Sequence, residues 1–200
     1  MILGVTGGIA TGKSTVAKML AAKGAIVVSA DVLSRQLVLP GSPVLSKLVQ
    51  CFGGQILTKD GALNRQKLAD LVFSDSIARQ DLESVMHPAI ALLSKQCLAQ
   101  AVEKQQSTGG LVVYEAPLLY EAGAESRVDK VLAVTVDSVV QLKRLQRRDQ
   151  CDVVAAKSRV DSQMPQHEKA RRADYVIDNS KSLLELQRHV DDVYRQLCPD

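Results

Sequence analysis

One run near the N-terminus constrains this chain more than anything else in it. Gly7-Gly8-Ile9-Ala10-Thr11-Gly12-Lys13-Ser14 fits G-x-x-x-x-G-K-[ST] at every fixed position. Before it lies a short apolar stretch, Ile2–Thr6. After it comes a helical pattern, Lys13–Ala22, with Val16, Ala17, Met19 and Leu20 on one side and a stop before Gly24. A loop between strand and helix is the setting the motif needs. Its glycines reach dihedrals closed to other residues, so successive N–H groups can converge on an anion. The helix turns its positive end toward the same point. Read this way, Gly7, Gly8, Ala10, Thr11, Gly12, Lys13, Ser14 and Thr15 cradle a nucleotide's phosphates. Lys13 is placed for the β and γ groups, and the Ser14 hydroxyl for Mg²⁺. ATP and Mg²⁺ are therefore the expected ligands. The dinucleotide fingerprint G-x-G-x-x-G does not occur in this segment, and no N-K-x-D element reads guanine. A phosphotransferase is the resulting expectation.

The rest of the chain repeats the strand–helix alternation. Apolar runs rich in Val and Ile predict strands at Ile2–Thr6, Ala25–Ser29, Leu111–Glu115, Val131–Val136 and Asp174–Ile177. Helical patterns fall at Lys13–Ala22, Val139–Arg148 and Ser182–Leu197. Short, mostly apolar strands separated by helices imply a five-stranded parallel sheet covered on both faces. The interval between the second and third strands is about 80 residues, far more than a crossover needs. It holds the breakers Pro40-Gly41-Ser42-Pro43, Gly53-Gly54 and Asp60-Gly61, then helical patterns from Gln66 to Gln105. A mainly helical inserted subdomain, suited to recognising a second substrate, is the natural reading.

Composition sets outer limits. The 200 residues, 46% hydrophobic and 24% charged, fit one ordinary globular domain with a smaller insertion. A net charge of +3 gives no ground for a nucleic-acid or membrane partner. At 3% aromatic and without Trp, the chain lacks stacking platforms for single strands. No run approaches a membrane span, and the N-terminus has no basic region like that of a signal peptide. Cys51, Cys97, Cys151 and Cys198 are scattered, without C-x-x-C or zinc spacing. These features lead to an expectation of a cytoplasmic enzyme with a small-molecule substrate and no obligate protein partner.

Several residues could act on the acceptor. Asp31 lies just past the second strand. If that strand lies near the first, its carboxyl end opens on the same crevice as the glycine loop. A carboxylate there could take a proton from an acceptor hydroxyl. It could equally cap a helix starting at Val32. Glu115 ends the third strand, where an acid often holds Mg²⁺, or simply faces water. Basic residues gather at Lys143, Arg144, Arg147 and Arg148, then at Lys157, Arg159, Lys169, Arg171 and Arg172. One or two could close over phosphates. Arg144 with Arg148, and Lys143 with Arg147, share helix faces, so spacing does not choose between the pairs. His87, His167 and His189 are lone histidines, structural or solvated by default.

Taken in order, these elements resemble the dephospho-CoA kinase family almost end to end. The resemblance runs through Thr6–Ile9, Gly12–Thr15, Ala30-Asp31, Phe52-Gly53, Asp60–Arg65, His87-Pro88 and Pro117–Glu121. It continues through Gln141, Arg144, Arg148, Arg159, Gln163 and Ala173–Asn179. The loop is generic to many nucleotide-binding proteins, but this combination is not. The resemblance implies a P-loop, nucleoside-kinase-like fold and transfer of phosphate from ATP to the ribose 3′-hydroxyl of dephospho-CoA. It implies Asp31 as general base, with Lys13, Arg144 and Arg148 supporting transfer. Substrate contacts are implied for Asp31, Arg65, His87, Pro117 and Leu118, and metal contacts for Ser14 and Glu115. It divides the chain into a core of about residues 1–31, 108–140 and 170–200, a helical CoA-binding insertion of about 32–107, and a lid of about 149–163. Two positions depart from the family's usual pattern. Ser29 stands where an acid is usual before Ala30-Asp31, and Glu115 where aspartate is commoner. The rival readings are another small-molecule kinase of nucleoside, nucleotide or shikimate type, and a non-catalytic module switched by nucleotide.

Overall fold

Five apolar runs form five parallel strands in the computed structural model, which describes residues 1–106 and 109–198, with Phe73, Ser74 and Gln106 described by backbone only. They are β1 (Ile2–Thr6), β2 (Ile26–Ser29), β3 (Val112–Glu115), β4 (Lys130–Thr135) and β5 (Tyr175–Asp178). The order across the sheet is β2-β3-β1-β4-β5. Each boundary lies within a residue of the sequence expectation. At the last strand, Asp174 stays outside because its carboxylate turns back to accept from the Val131 N–H and from Lys130, both at 2.8 Å.

The second strand is not beside the first, since β3 lies between them. All neighbours are parallel, so every carboxyl end still opens on one edge of the sheet. That edge is where open α/β sheets bind ligands.

Helix α1 (Lys13–Ala22) covers one face, joined there by a C-terminal helix of residues Leu183–Leu197. Leu3, Val5, Val16, Leu20, Leu132, Leu186 and Val190 form the shared core with no more than 2% exposure. Each such burial contributes roughly 1.5–3 kcal/mol before chain entropy is charged against it.

The chain divides into two compact units, Met1–Ser29 with Cys97–Asp200, and Ala30–Gln96. The second contains α2 (Ala30–Gln36), α3 (Pro43–Phe52), α4 (Arg65–Ser74) and most of α5 (Ser76–Gln106). Its own core gathers Val38, Leu48, Ile56 and Leu68. Pro88 lies inside α5. The sheet unit continues with α6 (Ser138–Asp149), α7 (Val153–Asp161), α8 (Gln166–Arg172) and α9 (Leu183–Leu197). Among the described residues, no helix is long and apolar enough to cross a membrane.

Candidate active site

The loop between β1 and α1 is held in its shape by its neighbours. Gly7 has φ +148°, and a Cβ there would lie 2.2 Å from the Val134 carbonyl oxygen. Gly12 has φ +99°, and a Cβ would lie 2.1 Å from Asn179 Nδ2. Only glycine fits either place. Asn179 uses that closeness to donate to the Thr11 carbonyl at 2.8 Å. Thr11 Oγ1 donates to the Gly8 carbonyl at 3.0 Å. Lys13 is buried and curls back to donate to the same carbonyl at 2.7 Å. An ammonium already directed into the loop is positioned to exchange a carbonyl for phosphate oxygens. Thr15 closes the first turn of α1 through Gly12, at 3.0 Å.

Beside the loop, Ser14 Oγ donates to Glu115 Oε1 at 2.5 Å. The extra methylene of glutamate thus brings the carboxylate into contact with the hydroxyl. A hydroxyl and a carboxylate are hard oxygen donors, and Mg²⁺ takes few protein ligands and fills its sphere with water and phosphate. The pair fits that ion. No group of three or more His, Cys, Asp or Glu capable of holding a metal occurs among the described residues.

An open pocket of about 230 Å³ adjoins the loop, lined by Ala10, Gly12, Thr15, Arg144, Asn179 and Leu183 among others. Arg144 reaches it from α6 and donates to the Asn179 carbonyl at 3.0 Å. Arg148, one turn on, is not part of the lining. It donates to Asp149 at 2.7 Å, and Arg159 of α7 reaches the same carboxylate. The hydrogen bond from Arg148 comes first among the causes that hold Asp149 below the usual carboxylate range. The structure therefore separates two arginines that share a helix face.

Pro117 and Leu118 follow β3 after one intervening residue, Ala116. The Pro117 carbonyl accepts from Thr6 Oγ1 at 3.3 Å and from Lys169 Nζ at 2.6 Å. Lys169 is fully buried and pairs with Glu121 at 2.7 Å. Burial lowers its pKa, against the opposing pull of Glu121. Leu118 is exposed.

The remaining candidates belong to the other unit. Asp31 lies inside the first turn of α2, which starts at Ala30, so it does not precede the helix as a cap would. It is exposed. Arg65 opens α4 after the Asn64 cap, whose Oδ1 accepts from the Lys67 N–H at 3.1 Å. His87 lies within α5.

Three glutamines surround the loop; Gln141 and Gln163 enter the sequence reading only as parts of the family resemblance, without a role, and Gln166 does not enter it. Gln141 donates to the Ile9 carbonyl at 2.7 Å, Gln163 accepts from the Ile9 N–H at 2.8 Å, and Gln166 donates to Gln141 at 2.8 Å. Besides the resemblance, the helix pattern carried a signal for Gln141. Gln141 shares a helix face with Leu145, and both are buried, so an amide stands where the pattern asks for an apolar residue.

Known proteins resemble this chain along nearly its whole length. The dephospho-CoA kinase family model matches residues 1–185. A dephospho-CoA kinase from Syntrophotalea carbinolica is 51% identical, covering 100% of this chain and 93% of that protein. One from Geobacter sulfurreducens is 43% identical over 99% of each. Among solved structures, TT1252 from Thermus thermophilus superposes with a TM-score of 0.81 at 33% identity, covering 99% and 98% of the two chains. Dephospho-CoA kinase from Campylobacter jejuni gives 0.70 at 29% identity, covering 98% and 96%. A shikimate kinase from Acinetobacter baumannii, at 14% identity and a TM-score of 0.51, shares the fold alone. A matching family model over most of the chain, joined to a phosphate loop of the right shape, means that this chain belongs to the dephospho-CoA kinase family.

Proposed function

We propose that this chain moves the γ-phosphoryl group of ATP onto the ribose 3′-hydroxyl of dephospho-CoA, giving CoA and ADP. The observation that carries the reading is the Gly7–Thr15 loop with Lys13 directed into it, in a chain whose family is shown over residues 1–185. The adenosine end of ATP fits the pocket bounded by Arg144, Asn179 and Leu183. The loop N–H groups and Lys13 hold the phosphates, and Arg144 sets a positive charge at the pocket's edge. Ser14 and Glu115 would hold Mg²⁺, which when bound neutralises phosphate charge.

Asp31 takes the proton as the 3′-oxygen bonds to phosphorus and the bond from phosphorus to the bridging β–γ oxygen breaks. ADP leaves with that oxygen. Positioning and charge supply most of the acceleration in such transfers, and a general base contributes about 10²–10⁴-fold. Arg148 would join Arg144 when its bond to Asp149 is exchanged for phosphate. The unit Ala30–Gln96, with Arg65 and His87, receives the acceptor together with Pro117 and Leu118. Residues 149–163 act as the lid. The enzyme works on small molecules, in the cytoplasm.

Incubation with Mg·ATP and dephospho-CoA, followed by mass spectrometry, tests the reading. Wild type should yield CoA, and Asp31→Asn at least about 100-fold less. A folded, ATP-binding wild type that makes no CoA would overturn the acceptor. An equally active Asp31→Asn would keep the acceptor and remove the base.

A further inference from the structure

Ile9 stands in the middle of the loop, and both its backbone polar groups are held by side chains from distant parts of the chain. Its N–H donates to Gln163 Oε1 at 2.8 Å, just beyond α7. Its carbonyl accepts from Gln141 Nε2 at 2.7 Å, on the buried face of α6. Gln141 is itself fixed, because its Oε1 accepts from Gln166 Nε2 at 2.8 Å. Gln166 spans both backbone groups of Val136, at 2.9 and 3.2 Å. The chain of amides thus runs from the end of β4 to the phosphate loop.

The next residue explains why such a clamp matters. Ala10 has φ +61°, a left-handed conformation that a residue bearing a Cβ adopts only at a cost. Such a residue persists where its surroundings over-determine it. Ala10 also lines the pocket beside the loop, so its conformation shapes the place where nucleotide enters.

We propose that Gln163 and Gln141 are positioning residues for the nucleotide, clamping the Ile9 backbone from two sides so that Ala10 keeps the left-handed shape the phosphates require. The inference rests on reading the loop as the ATP site. Gln163 follows α7 by two residues, so the clamp also ties the segment that ends there to the loop. Met164 is anchored in turn, its N–H donating to Glu121 at 3.0 Å. A shift of α7 relative to the sheet therefore pulls on the loop through one hydrogen bond.

Gln163→Met keeps the length of the side chain and removes the acceptor. Mg·ADP binding by calorimetry, the KM for each substrate and the melting temperature are measured in two backgrounds, native and Ala10→Gly. Gln163→Met in the native background should weaken ADP binding about tenfold and leave the KM for dephospho-CoA within about twofold. In the Ala10→Gly background the same change should weaken ADP binding by less than about threefold, because glycine holds the left-handed conformation unaided. Gln141→Met probes the other side of the clamp and should show the same dependence on background. ADP binding within about twofold of wild type in the native background would overturn the proposal, and so would equal losses in both backgrounds. Because binding is read directly, failure of dephospho-CoA as acceptor would not be mistaken for failure of the clamp.

Discussion

Glu115 is one methylene longer than aspartate, and what that methylene does is visible at the level of single atoms. It carries the carboxylate to within 2.5 Å of the Ser14 hydroxyl. In the sheet, Glu115 has Ser29 as its register partner on β2 and Val5 on β1. It is therefore the one acid in that row of three, and with Ser29 neutral no second carboxylate there repels it or shares an ion with it. Glu115→Gln keeps an acceptor for Ser14 and removes the charge. The Mg²⁺ concentration for half-maximal activity should rise about 10–100-fold, while ADP binding without metal changes little. An unchanged Mg²⁺ dependence would take Glu115 out of the metal site. The places of Lys13 and Ser14 in the loop were legible from sequence because the motif fixes their spacing. Gln141 and Gln163 were part of the family pattern, but their meeting at Ile9 was not legible, since residues 132 and 154 positions apart meet only once the sheet has formed.

Among the elements, those built on local rules were read well and those depending on long-range closure less so. α1 has the expected ends because its glycine loop and Gly24 mark both. α9 begins after Ser182, whose hydroxyl and the Glu185 carboxylate form a reciprocal cap. α3 was passed over, although Pro40-Gly41-Ser42-Pro43 is a start rather than a break. Ser42 caps the helix by accepting from the Leu45 N–H at 3.0 Å, and Pro43 is at N1, where its missing N–H is no loss. At the β4–β5 edge the joint is ionic. The Asp174 carboxyl is held below its usual range, first by the hydrogen bond from Lys130 and then by the Val131 N–H. An acid so depressed binds its proton less tightly folded than unfolded. Its stabilising effect is complete above the ordinary value of 3.8 and is lost as pH falls through the depressed one. Asp174→Asn should lower stability by about 0.5–1 kcal/mol at neutral pH, a modest figure because water screens the exposed pair. In urea unfolding the difference should shrink once the pH is taken below the ordinary value of 3.8. A difference of equal size at both pH values would show that the charge contributes nothing.

At the scale of the molecule, the candidate residues divide between two cores. The phosphate loop, Glu115, Arg144 and Asn179 stand on the sheet unit, whose central strand β1 carries the loop between β3 with its acid and β4 with its route into α6. Asp31, Arg65 and His87 stand on the helical unit with its separate core of Val38, Leu48, Ile56 and Leu68. Sequence leads to an expected insertion of about 32–107 because about 80 residues exceed any crossover, whereas the compact helical unit spans Ala30–Gln96, and its inner packing follows no motif. This division makes the two substrates separable by hydrogen exchange. Mg·ADP at a hundred times its Kd stabilises whatever binds it by about 2.7 kcal/mol. That protection should fall on the phosphate loop, α6 and the β5–α9 connection. Dephospho-CoA alone should slow exchange within α2 to α5 and leave β4 and β5 nearly unchanged. If its protection were confined to residues 97–198, the helical unit would lose its assignment as the acceptor's site, and Arg65 and His87 with it. If protection appears in the helical unit without nucleotide, acceptor binding needs no prior ATP. Either substrate could then bind first, and the bond from the Ile9 N–H to Gln163, just beyond α7, would act on the nucleotide alone.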